Sequence, residues 1–160
     1  MTEPAFCLQL KEPMAQYVAT LQNRICQALE QEDGVATFVE DSWERPGGGG
    51  GRSRAIANGA VFEKGGVNIS TVFGTLPEGI ASKMKVADPN FFATGISLVI
   101  HPANPHVPTV HANFRYFVSG EHDAWFGGGI DLTPYVANEE DARHFHAVLR
   151  EAAAPFGLDR

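Results

Sequence analysis

Polar and apolar residues alternate with a period of two in two consecutive stretches near the middle of the chain. The polar positions are Ser97 and His101 in the first stretch, and His111, Asn113 and Arg115 in the second. This period is typical of strands whose two faces have different environments. The segment between them is rich in proline, which excludes a helix or a central strand there. The pattern predicts two neighbouring strands that present these five side chains on one side.

A face that carries a hydroxyl, two imidazoles, an amide and a guanidinium can bind an anion and move protons. A solvated sheet face more commonly carries Thr, Lys and Glu. The alternative interpretation is an exposed polar face on which the histidines have no chemical role.

Helical periodicity marks both ends of the chain. Pro13 suits the first turn of a helix and Gly34 its end. The apolar positions between them recur every three or four residues, at Met14, Val18, Leu21, Ile25 and Leu29. Asn138 is predicted to cap a final helix, since three acidic residues follow it. Residues 1–10 are expected to be a frayed lead-in.

Short strands are predicted between the first helix and the central pair. One begins at residues 37–39, and a hairpin joins residues 54–57 to residues 60–63 through Asn58-Gly59, whose two turn positions need a positive φ. Residues 67–73 continue as a third strand, and a short helix is expected near residues 80–86. After a turn at residues 119–123, residues 125–134 are predicted to form an irregular strand with a glycine bulge that redirects Asp131.

Five consecutive glycines occupy residues 47–51. Ordering them is costly in chain entropy, so they are expected to form a loop, either a flexible surface loop or a mobile flap over a ligand. A phosphate-binding loop of the G-x-x-x-x-G-K-[ST] type is excluded because no lysine follows the glycines.

Composition narrows the function classes. The 160 residues suit one domain with a real core, and 44% of them are hydrophobic and 19% charged. The net charge of -7 argues against nucleic-acid binding. The two cysteines have no ligand spacing, and no apolar run approaches the length of a membrane span. The first residues lack the features of a signal peptide, so we expect a soluble cytoplasmic protein.

With these residues in place, the sequence closely resembles the oxygen-dependent coproporphyrinogen III oxidase family over about residues 25–157. The motifs that carry the resemblance are Asp41-Ser42-Trp43-Glu44-Arg45, Val61-Phe62-Glu63-Lys64, Gly95-Ile96-Ser97, His101-Pro102-Ala103-Asn104-Pro105, Pro108-Thr109-Val110-His111 and Phe126-Gly127-Gly128-Gly129-Ile130-Asp131-Leu132-Thr133-Pro134. One departure is Ala124, which stands where the family usually has the first of two tryptophans.

The resemblance implies an α+β fold: a broad, mostly antiparallel sheet flanked by helices on both sides, in a single domain over residues 1–160. Members of the family are about twice as long, so the chain is expected to be the N-terminal half of such a domain. The absent half carries a further active-site histidine, a further substrate arginine and the main dimer segment. We therefore expect the full-length protein to form a homodimer. We do not expect residues 1–160 to be active on their own.

The implied reaction converts two propionates of coproporphyrinogen III to vinyl groups with O2 and no organic cofactor. The resemblance implies that His111 and Asp131 are catalytic. It further implies a substrate-binding set of Ser97, Asn113, Phe114 and Arg115, and a divalent-metal set of His101, His111 and His146. The spacing of the three histidines is not diagnostic of a metal site, so proton transfer and metal ligation by His111 both stay open.

Two other functions are open at this point. One is a metal-dependent hydrolase or oxygenase with a different substrate, which would use the same histidines with Asp131. The other is a non-catalytic fragment that binds a tetrapyrrole. Metal content under chelation would identify the first, and oxygen uptake would separate binding from catalysis.

Overall fold

The computed structural model describes residues 6–157. Six strands form one antiparallel sheet whose spatial order follows the chain. The strands are β1 (Val39–Glu44), β2 (Gly49–Ala57), β3 (Phe62–Thr75), β4 (Asn90–Pro102), β5 (Thr109–Ser119) and β6 (Asp123–Thr133). The helices are α1 (Phe6–Gln9), α2 (Lys11–Asp33), α3 (Glu78–Met84) and α4 (Glu139–Ala153), and a 3-10 turn (Ala154–Phe156) follows. The predicted α+β class is confirmed.

The helix α2 packs across one face of β3 and β4, which we call the helix face. Its residues Val18 and Cys26 are buried there against Val67, Ile96 and Ile100. The opposite face, which we call the polar face, carries the odd-numbered positions of β4, β5 and β6. Neither α3 nor α4 contains a buried residue. Within residues 6–157 there is therefore no second packed helical layer of the kind that the resemblance implies.

A buried amide holds α2 to the sheet. Gln22 is fully buried, and its Nε2 donates to the carbonyl oxygens of Arg52 at 2.9 Å and Val67 at 2.7 Å. Its Oε1 accepts from Nε of Arg52 at 2.7 Å. A buried amide is tolerated only when both ends are satisfied, which is the case here. The predicted apolar stripe of α2 is confirmed, but the most deeply buried residue of the helix is this glutamine.

The last residue of α2 is a buried carboxylate that fastens the helix to the β2–β3 turn. Asp33 is only 4% exposed. Five backbone N–H groups donate to its carboxylate at 2.8 to 3.3 Å: those of Val35, Ala36, Ala60, Val61 and Phe62. These hydrogen bonds, with that of Ala36 the strongest cause and that of Phe62 next, hold the pKa of Asp33 well below its usual range. Gly34 ends the helix in the left-handed conformation, as predicted.

The β2–β3 turn is longer than predicted. It spans residues 58–61, and of the Asn58-Gly59 pair only Asn58 has a positive φ, of 57°. Gly59 is required for a different reason, because a Cβ there would collide with the carboxylate of Asp33. The sequence signal for a hairpin is confirmed, but the two-residue turn is wrong because the chain wraps around Asp33.

The prediction that residues 47–51 form a loop is correct for Gly47 and Gly48, which lie in the turn between β1 and β2, and wrong for the other three. Gly49, Gly50 and Gly51 are the first residues of β2; all three pair with β3, and Gly50 and Gly51 also pair with β1. A Cβ on Gly49 would collide with the carbonyl oxygen of Thr71, and one on Gly51 with the ring of Trp43. The glycines are therefore explained by close approach of neighbouring groups within an ordered sheet.

The predicted glycine bulge near Asp131 is also wrong, since the register of β5 with β6 is unbroken from Asp123 to Thr133. The strand predicted at residues 37–39 begins at Val39, and residues 62–75 form one long strand. The short helix is α3, the cap of α4 is Asn138, and the turn at residues 119–123 is confirmed. Of the predicted lead-in, residues 1–5 lie outside the described part, and Phe6–Gln9 form α1.

No helix within residues 6–157 is long and apolar enough to cross a membrane.

We predict that Asp33→Asn destabilises the protein at neutral pH, because an amide cannot accept the same set of N–H groups. A carboxyl with a lowered folded-state pKa stabilises the fold above its unfolded pKa, and this contribution is lost as the pH falls toward the folded pKa. Thermal unfolding of the native protein should therefore shift to lower temperature below about pH 4. The Asn variant should lack this component. Asp123→Asn at an exposed position is the control, and equal melting temperatures for both variants at pH 7 would contradict the role of Asp33.

Candidate active site

The register of β4, β5 and β6 aligns the predicted site residues on the polar face. Ser97 lies directly opposite Asn113, and His111 lies directly opposite Asp131. Arg115 follows on the same face of β5, two residues after Asn113. Direct neighbours in an antiparallel pair are close enough for their side chains to interact. The alternation in sequence thus placed Ser97, His111, Asn113 and Arg115 correctly on one face, and the unbroken register of β6 adds Asp131 to that face.

A hydrogen-bonded pair forms the chemical centre of this face. Nδ1 of His111 lies 3.0 Å from Oδ2 of Asp131, and the side chains are 42% and 56% exposed. An ionised carboxylate can only accept, so Nδ1 donates this hydrogen bond, and Nε2 has no partner within residues 6–157. The pair therefore presents an oriented imidazole base, and one oxygen of Asp131 stays available for a donor on a ligand.

Arg115 is a cation without a protein carboxylate partner within residues 6–157. Its NH2 donates to Oδ1 of Asn113 at 3.3 Å, which orients the guanidinium on the polar face. Arg52 and Arg54 lie on the helix face and share Glu40 at 3.6 Å and 2.8 Å. Arg115 is thus free to bind an anion from solution, and the fork of N–H groups fits a carboxylate.

Phe114 does not belong with Asn113 and Arg115. It occupies the helix face, where it lies opposite Ile96 and is 50% exposed. The period of two requires this, because adjacent residues of a strand point to opposite faces. The role of Phe114 in substrate binding stays a prediction, since Phe114 also borders the cleft that Arg115 and Ser97 line.

The three histidines predicted as metal ligands lie on different elements. His101 is the second-last residue of β4, and its Nδ1 lies 3.4 Å from Oγ1 of Thr109. His146 lies on α4 and lines the same cleft as Asp131. Among residues 6–157, no group of three or more His, Cys, Asp or Glu side chains is placed to hold a metal ion. The structure thus does not gather His101, His111 and His146 into one ligand set, and metal binding stays a prediction.

Three clefts border the last strands. A cleft of about 250 Å³ lies between β6 and α4 and includes Asp131 and His146. A larger one of about 730 Å³ lies on the helix face between α2 and β6; Arg115 borders it too, and the rest of its lining is mostly apolar. The third, of about 330 Å³, lies along the sheet next to Arg115 and Ser97. We place the site at the third cleft and the adjoining His111–Asp131 pair, because the unpaired cation and the oriented base share that face.

Residues that the sequence analysis did not single out complete this cleft. Asn68 and Ser70 on β3 and Trp43 on β1 line it together with Arg115 and Ser97. Asn68 lies directly opposite Ser97, and Ser70 opposite Gly95. The alternation of polar and apolar residues in β3 was a usable signal, but only the full register shows that they join the same face.

The profile of one protein family matches most of this chain. The coproporphyrinogen III oxidase family matches residues 13–160. The chain therefore belongs to the coproporphyrinogen III oxidase family of oxidoreductases, which acts in haem biosynthesis. The match includes all six strands and every site residue described above, so the resemblance found in the sequence is confirmed.

We predict that ligand binding separates Asn113 from its neighbour Phe114. In the full chain, Asn113→Ala should raise the Kd for coproporphyrin III by about tenfold, since one oriented hydrogen bond is worth roughly 1 kcal/mol or more beside a charge. Phe114→Leu should change it less than about twofold, because that side chain lies on the other face. Absorbance titration measures both, and a larger effect for Phe114→Leu would contradict the assignment of the two faces.

Proposed function

We propose that the polar face is the substrate-binding part of an oxygen-dependent oxidative decarboxylase that acts on coproporphyrinogen III. Two propionates become vinyl groups, giving protoporphyrinogen IX. For each, R–CH2–CH2–COO⁻, O2 and H⁺ give R–CH=CH2, CO2 and H2O2. The observation that carries the proposal is the juxtaposition of an unpaired arginine with an oriented His–Asp pair on one sheet face of a chain in this family.

Arg115 is suited to the anionic rim of the substrate. A propionate would accept two parallel N–H groups from the guanidinium, and Asn113 and Ser97 would add hydrogen bonds beside it. The polar face carries no other arginine along β4, β5 and β6. One end of the substrate is therefore anchored at Arg115, and its orientation follows from that anchor.

His111 and Asp131 are suited to proton transfer at the reacting pyrrole. Nε2 of His111 has no partner within residues 6–157, so it is placed to accept or return a proton. The second oxygen of Asp131 can accept a pyrrole N–H group and stabilise positive charge that develops on the ring. These roles need no organic cofactor, and they require only groups that the chain supplies.

Metal ligation by His111 is the alternative to proton transfer. Asp131 contacts Nδ1 of His111 in the way that a carboxylate commonly orients a histidine that binds a metal. Among residues 6–157 the histidines are not gathered into a group that could hold a metal ion, so we derive no step through a metal. A homodimer and a cytoplasmic location stay predictions that follow from the sequence analysis.

The dependence on oxygen is tested with the full chain and coproporphyrinogen III in air and under strict anaerobiosis. We expect vinyl product, oxygen uptake and CO2 in a ratio of one O2 to one CO2 in air, and no product without oxygen. Product formation under anaerobiosis would contradict the oxygen requirement. Tight binding without any turnover in air would instead indicate a non-catalytic tetrapyrrole-binding protein.

We predict that Arg115→Lys weakens substrate binding in the full chain. Lysine keeps the charge but cannot form two parallel hydrogen bonds to one carboxylate. The Kd for coproporphyrin III should rise by about tenfold, which corresponds to roughly 1.4 kcal/mol. Arg143→Lys on the exposed surface of α4 is the matched control and should leave the Kd unchanged. An unaltered Kd for Arg115→Lys would refute the anchor.

We predict that His111→Asn and Asp131→Asn both lower kcat in the full chain while the Kd stays within a few-fold. Loss of a general acid or base typically costs on the order of 10²–10⁴ in rate, and the amide keeps much of the shape. His101→Ala separates the two roles of His111. If proton transfer is correct, it should reduce kcat far less and leave metal content unchanged.

Equal losses of kcat and bound metal in His101→Ala and His111→Asn would establish metal ligation instead. Near-normal kcat for His111→Asn would remove this residue from the mechanism under both interpretations.

A further inference from the structure

A row of directly opposed residues crosses the polar face from the first strand to the fifth. Trp43 on β1 lies opposite Gly51, Gly51 opposite Ser70, Ser70 opposite Gly95, and Gly95 opposite Arg115. Neighbouring strands are about 4.8 Å apart, so roughly 19 Å of sheet separates the backbones at the two ends of the row. The interior of the row contains only two glycines and one serine. It is thus a shallow trough with a large side chain at each end.

The glycines allow the side chain of Trp43 to lie down on the sheet. A Cβ on Gly51 would collide with Cζ2 of Trp43 and lie 2.6 Å from its Cε2. The indole therefore covers Gly51 and points toward the centre of the sheet. Gly95 similarly brings the stem of Arg115 close, since a Cβ there would lie 2.9 Å from Cβ of Arg115. Both end groups are thus held against the floor of the trough.

The cleft of about 330 Å³ lies between these two end groups. Trp43, Ser70, Gly95 and Arg115 all line it. Trp43 is 40% exposed. No other residue of β1 covers it, because all of them are exposed as well. An indole that is held in place by one glycine and open on its other side is a preformed apolar wall. Facing it across the cleft is the unpaired guanidinium.

An apolar wall opposite a cation fits a ligand that is apolar at its centre and anionic at its rim. A tetrapyrrole has this chemistry, because its pyrrole rings are electron-rich and apolar while its propionates are charged. Aromatic rings in contact stabilise one another beyond the area that they bury and prefer particular geometries, so such a wall also fixes orientation. Neither end group alone would determine which propionate reaches the His111–Asp131 pair.

We propose that Trp43 is a substrate-binding residue that packs against a pyrrole ring of the tetrapyrrole whose propionate is held by Arg115. The inference rests on the proposed function. It adds a residue on β1 that helps to orient the tetrapyrrole, outside the strands β4–β6 that carry the other site residues. Loss of Trp43 should weaken binding and also impair the selection of the propionate that reacts first.

The second tryptophan of the sequence provides a matched control. Trp125 is also 40% exposed and lies on the polar face of β6. Its ring stacks on Phe117 with centroids 4.7 Å apart, and it does not line the cleft. A general effect of removing an exposed tryptophan from this face would appear equally at both positions.

The test uses the full chain and coproporphyrin III as a ligand that does not turn over. Trp43→Leu should raise the Kd roughly three- to tenfold, as expected for loss of one aromatic contact. Trp43→Phe should keep the Kd within about twofold, and so should the controls Trp125→Leu and Trp125→Phe. With coproporphyrinogen III, Trp43→Leu should also release a larger fraction of product with only one vinyl group. Melting temperatures are measured for each variant.

A second measurement does not depend on Trp43→Leu. Protein labelled with 5-fluorotryptophan is titrated with coproporphyrin III, and the Trp43 and Trp125 signals are assigned by their loss in the Phe variants. The Trp43 signal should shift more than the Trp125 signal, because the ring current of the ligand falls off steeply with distance. This titration tests the role of Trp43 even if Trp43→Leu fails to fold.

The outcomes separate the inference from the function on which it rests. Failure of the unsubstituted protein to bind coproporphyrin III would contradict the proposed function. Normal binding with an unchanged Kd in Trp43→Leu would overturn the inference alone. A lower melting temperature with an unchanged Kd and an unshifted Trp43 signal would show that the indole is structural, and would also overturn it.

Discussion

The antiparallel register of β4, β5 and β6 is the constraint on which the site depends. It places His111 opposite Asp131 and Ser97 opposite Asn113. A slip of one residue would turn each of these side chains to the other face. The register is held by burial on the helix face, where Ile96 packs beneath α2 in the core cluster. The geometry of the candidate site on one face is thus a consequence of apolar packing on the other.

The two faces also treat polar groups differently. On the helix face, Gln22 and Asp33 are buried and fully engaged with backbone groups, so they stabilise the fold and have no capacity left for a ligand. On the polar face, Arg115 makes no ion pair within residues 6–157, and the His111–Asp131 pair is substantially exposed. Unused hydrogen-bonding capacity at an ordered position is what a ligand with carboxylates requires.

Local patterns in the sequence predicted the faces of strands and several ends of helices. They did not predict where residues distant in sequence come into close contact. The alternation around His111 and Arg115 placed both on one face, and the C-terminal end of α2 and the start of α4 followed from Gly34 and Asn138. The run of glycines at residues 47–51 was assigned to a loop because glycine is costly to order, but its last three residues lie in β2, where Gly51 makes room for Trp43. Such requirements come from neighbours distant in sequence, as does the role of Asp33, and no local pattern reports them.

The central claim is that the tetrapyrrole binds on the polar face and not in the larger apolar cleft under α2. Methyl NMR of the full chain during titration with coproporphyrin III tests it most directly. The methyl groups of Val72 and Val99 face the polar side, and those of Met14 and Leu21 line the other cleft. We expect large, saturable shifts for Val72 and Val99 and small ones for Met14 and Leu21. Shifts confined to Met14 and Leu21 would contradict the account.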